Sequence, residues 1–180
     1  MFDKRNLKNT TRYTAKECAL LAVFVAIVIV AQILLSVVPG VEVVTVLFIS
    51  YSYAAGWKRG VLASIIFAPL RQIIFGFYPT VLILYLIYYP LLAVVFGLLG
   101  KTIKKTIKYL PLIVALACLG TVIFAMIDNI LTPLWYGFGE RATRAYFIGS
   151  LSVMIPQVVC SSITVSTLFL PLVKCFKMFY

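Results

Sequence analysis

The residues that could carry out chemistry are few and scattered. The sequence has no histidine and only five acidic residues. A serine–histidine protease, an intramembrane aspartyl protease and a metal enzyme each need a cluster that this set cannot supply. The glycine-rich phosphate motifs GxxxxGK[ST] and GxGxxG are absent as well. We therefore predict that the chain is not an enzyme and holds no cofactor of its own.

The composition points to a membrane protein. The 180 residues are 63% hydrophobic and 12% charged, with a mean hydropathy of +1.09, whereas soluble domains are about half apolar and a quarter charged. A spanning helix needs about 20 apolar residues, so six spans leave no room for a nucleotide-binding domain. Any ATP-driven work would come from another subunit.

The apolar stretches predict an all-α, six-transmembrane-helix bundle that forms a single domain over residues 1–180. Turn signals and charges divide the chain into a basic segment at 1–17, six spans and a tail at 174–180. The predicted spans are 18–38, 41–57, 61–78, 80–99, 110–136 and 147–173, with a loop at 137–145 between the last two.

The basic residues set the predicted orientation. The net charge is +11, and thirteen of the sixteen basic residues fall on one side if both termini are cytoplasmic. Only Arg141 and Arg144 fall outside, and Arg71 lies within the third span. This is the positive-inside pattern, so the charge predicts a bilayer and no nucleic-acid partner.

Arg71 and Asp128 are the two charged groups well inside the spans. At 1.5 Å per residue, both lie about 10–12 Å below the outer boundary. A lone charge at that depth needs a partner or a wet cavity. Two arrangements stay open and can coexist: the two groups pair and lock the third span to the fifth, or one or both line a substrate cavity open to the outside.

Other polar residues gather at the same level. The candidate substrate-binding residues are Glu42, Arg71, Gln72, Asp128, Asn129, Tyr146 and Gln157. Most outer aromatic residues are expected to form an interfacial belt, and Tyr85, Tyr88 and Tyr89 are expected to pack. Inner hydroxyl groups are expected to bond backbone carbonyls.

Small residues form one stripe on the first helix. Its members recur at i, i+4, i+7 and i+11, namely Ala15, Ala19, Ala22 and Ala26. Small residues at this spacing let another helix approach closely in lipid. The stripe predicts packing within the bundle or docking onto another membrane subunit.

This pattern resembles the substrate-binding (S) components of energy-coupling factor (ECF) vitamin transporters, over nearly the whole chain. The closest branch in pattern is the cobalamin type, although this chain has Gln157 where that branch often has an acidic residue, and no histidine. The resemblance is carried by Pro39–Thr45, Ile74–Phe77, Tyr85, Tyr89–Leu92, Tyr146–Gly149 and Leu170–Lys174.

The resemblance implies a mechanism and partners. An S component binds a vitamin at the outer face of a prokaryotic cell membrane. It then docks through its first-helix alanines onto a transmembrane coupling subunit driven by two ABC ATPases, which use the ATP. The closest branch implies a cobalamin-like substrate, whereas Arg71 and the aromatic residues suit folate, pantothenate, riboflavin or a corrinoid almost equally well.

Two other functions remain open. A structural membrane scaffold of the rod-shape type predicts a fully packed outer face and no ligand. A stand-alone small permease usually needs helices broken near mid-membrane, and Pro69, Pro133 and Pro156 could break them.

Overall fold

The computed structural model describes residues 14–35, 43–103 and 106–180. These residues form six α-helices and contain no strand, so the all-α prediction is confirmed for this part of the chain. The helices are α1 (Ala15–Leu35), α2 (Val44–Ala55), α3 (Trp57–Phe75), α4 (Pro79–Thr102), α5 (Leu110–Tyr136) and α6 (Glu140–Lys177).

Four helices, α1, α4, α5 and α6, are long and apolar enough to cross a membrane. Helix α2 has 12 residues, and at 1.5 Å per residue it is shorter than a bilayer core. Helix α3 carries Lys58, Arg59 and Arg71. The structure thus has the character of a multi-pass membrane protein, whereas six complete spans remain a prediction.

Several helix boundaries differ from the predicted ones, among them the starts of α1 and α6. Helix α1 begins at Ala15, because Thr14 and Glu17 form a capping box in which each side chain accepts the other's backbone N–H. Helix α6 begins at Glu140, so the loop predicted at 137–145 is wrong from residue 140 onward. An acidic residue in the first turn is stabilised by the positive end of the helix dipole, so Glu140 favours a helix that starts here.

Helix α2 forms the centre of the bundle. It contacts all five other helices, and nearly all of its side chains are buried. Its Phe48 packs against Phe67 of α3 and Tyr89 of α4, with ring centroids 5.2 and 4.6 Å apart. Tyr85 and Tyr88 are buried in the same aromatic core, as the packing prediction for the α4 tyrosines requires.

Two glycines let α4 pass close to the junction of α2 and α3. A Cβ at Gly97 would overlap the backbone of Trp57, and one at Gly100 would overlap the backbone carbonyl of Tyr53. Between the two contacts, Gly56 turns the chain with a φ of 93°, which only glycine adopts without strain. This tight crossing holds the three helices in register.

An ion pair ties the start of α1 to α3. Glu17 pairs with Arg59, which also donates a 3.0 Å hydrogen bond to the carbonyl of Ala55. The same guanidinium lies 4.8 Å from the ring of Tyr180, whose hydroxyl bonds that of Tyr51 at 2.8 Å. This end of the bundle is therefore closed by polar contacts.

Candidate functional site

The carboxylate of Asp128 is held by two hydroxyl groups. Tyr146 of α6 donates to one oxygen at 2.6 Å, and Thr132 of α5 donates to the other at 2.9 Å. Thr132 lies one turn after Asp128, the spacing at which helix side chains meet. Two donors stabilise a carboxylate that would otherwise stand alone in an apolar bundle.

A cavity of about 500 Å³ opens beside this carboxylate, between α5 and α6. Helix α5 contributes Phe124, Ala125 and Asp128. Helix α6 contributes residues of one face, spaced three or four apart. The α6 lining is Ala145, Tyr146, Gly149, Ser150, Val153 and Gln157. The volume falls within the usual 300–1,000 Å³ of small-molecule sites, and mostly apolar walls with a few polar groups are typical of them.

Three of the predicted substrate-binding residues, Asp128, Tyr146 and Gln157, thus meet in one cavity. Phe124 and Ser150 also line the cavity and were not predicted, although each lies one helical turn from a predicted residue. Gly149 leaves the cavity wall open, since a Cβ there would meet nothing within 4 Å.

Arg71 lies apart from this cavity, under two aromatic rings. Its guanidinium carbon lies 5.0 Å from the ring centroid of Phe75 and 4.9 Å from that of Tyr85. Its Nε and Nη1 are buried and have no acceptor. Within residues 14–35, 43–103 and 106–180, no carboxylate lies within 4.0 Å of it. Arg71 as a whole is partly buried, but these two buried donors without an acceptor are costly and suit an anion or a hydrogen-bonding ligand.

The alternative in which Arg71 pairs with Asp128 is wrong. Helices α3 and α5 make no contact within the described part of the chain, and Asp128 is bound by hydroxyl groups instead. The bundle separates these helices because α4 packs against both of them.

The two polar regions are nevertheless connected through aromatic rings. Tyr85 lies against Arg71 on one side, and its ring centroid is 5.9 Å from that of Phe124 on the other. Phe124 lines the cavity. The hydroxyl of Tyr85 also accepts a 3.2 Å hydrogen bond from the Gln32 side chain, whose Oε1 is buried without a donor.

Two predicted residues are buried beside these regions. Gln72 is 4% exposed, and its Oε1 accepts a 2.9 Å hydrogen bond from the backbone N–H of Tyr78, which fixes the turn from α3 to α4. Asn129 is 6% exposed, and both polar atoms of its side chain lack a partner. Neither residue lines the cavity at Asp128. Glu42 lies outside the described residues.

The alanine stripe of α1 faces away from the bundle. The opposite face of α1 packs inward through Leu21, Phe24, Val25 and Val28. All four stripe residues, Ala15, Ala19, Ala22 and Ala26, are exposed. Packing within the bundle therefore does not explain the stripe.

Most outer aromatic side chains are exposed, including Phe77, Tyr78, Trp135 and Tyr136. This exposure agrees with an interfacial belt. Hydroxyl groups of α6 donate to carbonyls of the preceding turn, as expected, from Thr164, Ser166 and Thr167.

The fold defines the class: an all-helical protein with several helices that can cross a membrane. Comparisons with protein-family models, with curated proteins and with solved structures find no match to this chain.

Proposed function

We propose that this protein is the substrate-specific component of an ECF-type ABC importer in a prokaryotic cell membrane. It would bind a vitamin or related micronutrient from the outer face and deliver it through a transmembrane coupling subunit and two ABC ATPases. The observation that carries the proposal is the cavity between α5 and α6, into which Asp128, Tyr146 and Gln157 converge.

The polar groups of the site indicate the chemistry of the ligand. The cavity offers acceptors in the Asp128 carboxylate and in the Ser150 hydroxyl oxygen, whose proton goes to the carbonyl of Phe147, and the Gln157 amide can accept or donate, which suits a ligand with N–H or O–H donors.

Arg71, which has no carboxylate partner among the described residues, suits a carboxylate or phosphate of the ligand. It lies outside the cavity, behind the packed rings of Tyr85 and Phe124, so the ligand would reach it only if these rings move apart, and a ring of the ligand would then stack on them.

The cavity volume further narrows the choice of substrate. About 500 Å³ suits a ligand of ordinary vitamin size. A corrinoid is larger than this space, so we favour a smaller vitamin over a cobalamin-like substrate.

The exposed stripe on α1 supports a membrane partner. A helix face of four small residues leaves room for a second helix to approach closely. The stripe begins at Ala15, in the half of α1 that the charge pattern places toward the cytoplasm.

The two other functions have less support. A scaffold predicts a fully packed outer face, yet this bundle contains a cavity with polar groups. A stand-alone permease usually has broken helices, whereas α3, α5 and α6 continue through Pro69, Pro133 and Pro156.

Uptake into proteoliposomes separates the three functions. The chain alone should bind a vitamin without transporting it, and addition of a coupling subunit with its ATPases should give ATP-dependent uptake. Uptake by the chain alone would indicate a permease, and the absence of both binding and uptake across the vitamin panel would favour a scaffold.

A further inference from the structure

A second groove lies at the other end of the α5–α6 pair. It has a volume of about 570 Å³ and is formed by the connection between α4 and α5 and by the last turns of α6. Its lining combines apolar side chains with three lysines and one threonine. These residues are Thr106, Ile107, Lys108, Leu170, Val173, Lys174 and Lys177.

The α6 side of the groove is one continuous helix face. Leu170, Val173, Lys174 and Lys177 recur at i, i+3, i+4 and i+7, so apolar and basic groups follow each other along the same wall. Val173 is 4% exposed, whereas Ile107 on the opposite wall is 75% exposed. The groove thus has a buried apolar floor and an open apolar edge.

The wall formed by the α4–α5 connection is fixed by hydrogen bonds. The hydroxyl of Tyr53 donates to the carbonyl of Ile103 at 3.2 Å and lies 3.0 Å from the hydroxyl of Thr106. The ammonium group of Lys177 lies 5.5 Å from the ring centroid of Tyr53. These contacts hold the two walls at a defined separation.

Among the described residues, no acidic side chain compensates the charge of the groove lysines. The sequence has no acidic residue between Glu42 and Asp128 and none after Glu140. Where the structure describes the chain, no carboxylate lies within 4.0 Å of Lys108, Lys174 or Lys177. Three like charges around a low-dielectric cleft create a positive potential that attracts anions.

We infer that this groove binds an anionic phospholipid, with its phosphate among the three lysines and an acyl chain along Ile107, Leu170 and Val173. A basic pocket between helices on the cytoplasmic side is a recurrent site for anionic headgroups. A water-soluble anion would gain nothing from the apolar floor, whereas a lipid uses both parts. Orienting a membrane protein needs basic residues but no cavity, so topology alone does not account for the groove.

Lipid binding to the purified full chain in detergent tests the inference. Phosphatidylglycerol and phosphatidylcholine with identical acyl chains are titrated, and inorganic phosphate is titrated separately. The test variant is K108Q/K174Q/K177Q, and the control K16Q/K58Q/K101Q removes the same charge from exposed lysines outside the groove.

We expect phosphatidylglycerol to bind more tightly than phosphatidylcholine. The test variant should weaken phosphatidylglycerol binding by at least about tenfold, since each basic residue contributes about fivefold near an anionic headgroup. The control should change it by less than about twofold, and Ile107→Ser, which preserves the charge, should also weaken it.

Three results would overturn the inference. Equal losses in the two triple variants would indicate a general charge effect. Phosphate that binds as tightly as the lipid would indicate an anion site, and unchanged binding in Ile107→Ser together with K108Q/K174Q/K177Q would place the lipid elsewhere. The test is independent of vitamin binding, so either proposal can fail alone.

Discussion

Tyr146 donates a 2.6 Å hydrogen bond to the carboxylate of Asp128 from the neighbouring helix, 18 residues along the chain. The bond joins α5 to α6 at the mouth of the cavity and supplies the partner that an acidic residue needs in an apolar bundle. It also aims the carboxylate and the tyrosine ring at the same space, so the contact that stabilises the fold shapes the proposed site.

The variant Tyr146→Phe should lower both stability and binding. It removes one donor from a partly buried carboxylate, and a hydrogen bond to a charged group is worth about 1.5–3 kcal/mol. Thermal unfolding in detergent should show a lower melting temperature, and the affinity for the vitamin should fall severalfold.

The matched control is Tyr136→Phe, which removes the same hydroxyl from a residue that is 51% exposed. We expect it to behave like the unmodified protein. A drop in stability as large as that of Tyr146→Phe would show that the bond to Asp128 has no special importance.

The variant Arg71→Met should stabilise the protein while weakening ligand binding. Methionine keeps much of the side-chain volume but removes a partly buried charge whose buried Nε and Nη1 have no acceptor among the described residues. We expect the free energy of unfolding to rise by about 1 kcal/mol and binding of an anionic vitamin to fall at least about tenfold.

Arg71→Lys is the companion variant, since it keeps the charge but loses the planar guanidinium. It should retain part of the binding without the gain in stability. If Arg71→Met instead destabilises the protein and leaves binding unchanged, Arg71 has a structural role through its contacts with Phe75 and Tyr85.

The variant Gly97→Ala should destabilise the bundle. The added methyl group would overlap the backbone of Trp57, which cannot move aside like a flexible side chain. Overpacking of this kind costs about 1–3 kcal/mol, measurable as a lower midpoint of thermal unfolding.

Gly149→Ala provides the comparison, because its Cβ would meet nothing within 4 Å. Alanine is the better helix former by about 1 kcal/mol, so this variant should be at least as stable as the unmodified protein. Equal behaviour of the two variants would argue against the tight crossing of α4 over the α2–α3 junction.

The variant Ala19→Leu should spare vitamin binding and abolish ATP-driven uptake. Ala19 lies on the exposed face of α1, so leucine disturbs no contact of the bundle but blocks close approach of a partner helix. Binding is measured on the purified chain, and uptake is measured in proteoliposomes with the coupling module.

Val23→Leu is the control for this variant, since Val23 is also exposed on α1 but lies outside the stripe. It should support normal uptake. Full uptake by Ala19→Leu would contradict the assignment of the stripe as the docking surface.

The sequence was sufficient to predict the six helices and part of the candidate site. Apolar stretches predicted the six helices. Asp128 and Gln157 were predicted from their polarity and depth, and Tyr146 was predicted as an outer aromatic residue in the Tyr146–Gly149 stretch that carries the resemblance. Their convergence follows from helix periodicity, because Tyr146 and Gln157 are eleven residues apart on one face of α6.

The position of Arg71 relative to Asp128 could not be predicted in the same way. Equal depth in the membrane says nothing about which helices are neighbours, and α4 packs between α3 and α5. The early start of α6 was missed because Glu140, Arg141 and Arg144 read as a polar loop. Helix α2 was predicted to be longer than it is for the opposite reason, since the apolar residues around it were interpreted as a full span.

Vitamin binding to the variant Gly149→Leu tests the central claim most directly. A Cβ at this position would meet nothing within 4 Å, so a leucine side chain would project into the cavity between α5 and α6. The control is Ile148→Leu, which changes a neighbouring residue that is exposed outside the cavity. Both variants and the unmodified protein are titrated calorimetrically against the vitamin that gives the largest thermal shift in a panel of B vitamins.

We predict at least about tenfold weaker binding by Gly149→Leu, unchanged binding by Ile148→Leu and an unreduced melting temperature for both. Unweakened binding by a folded Gly149→Leu would contradict the account, because the ligand would then lie outside this cavity.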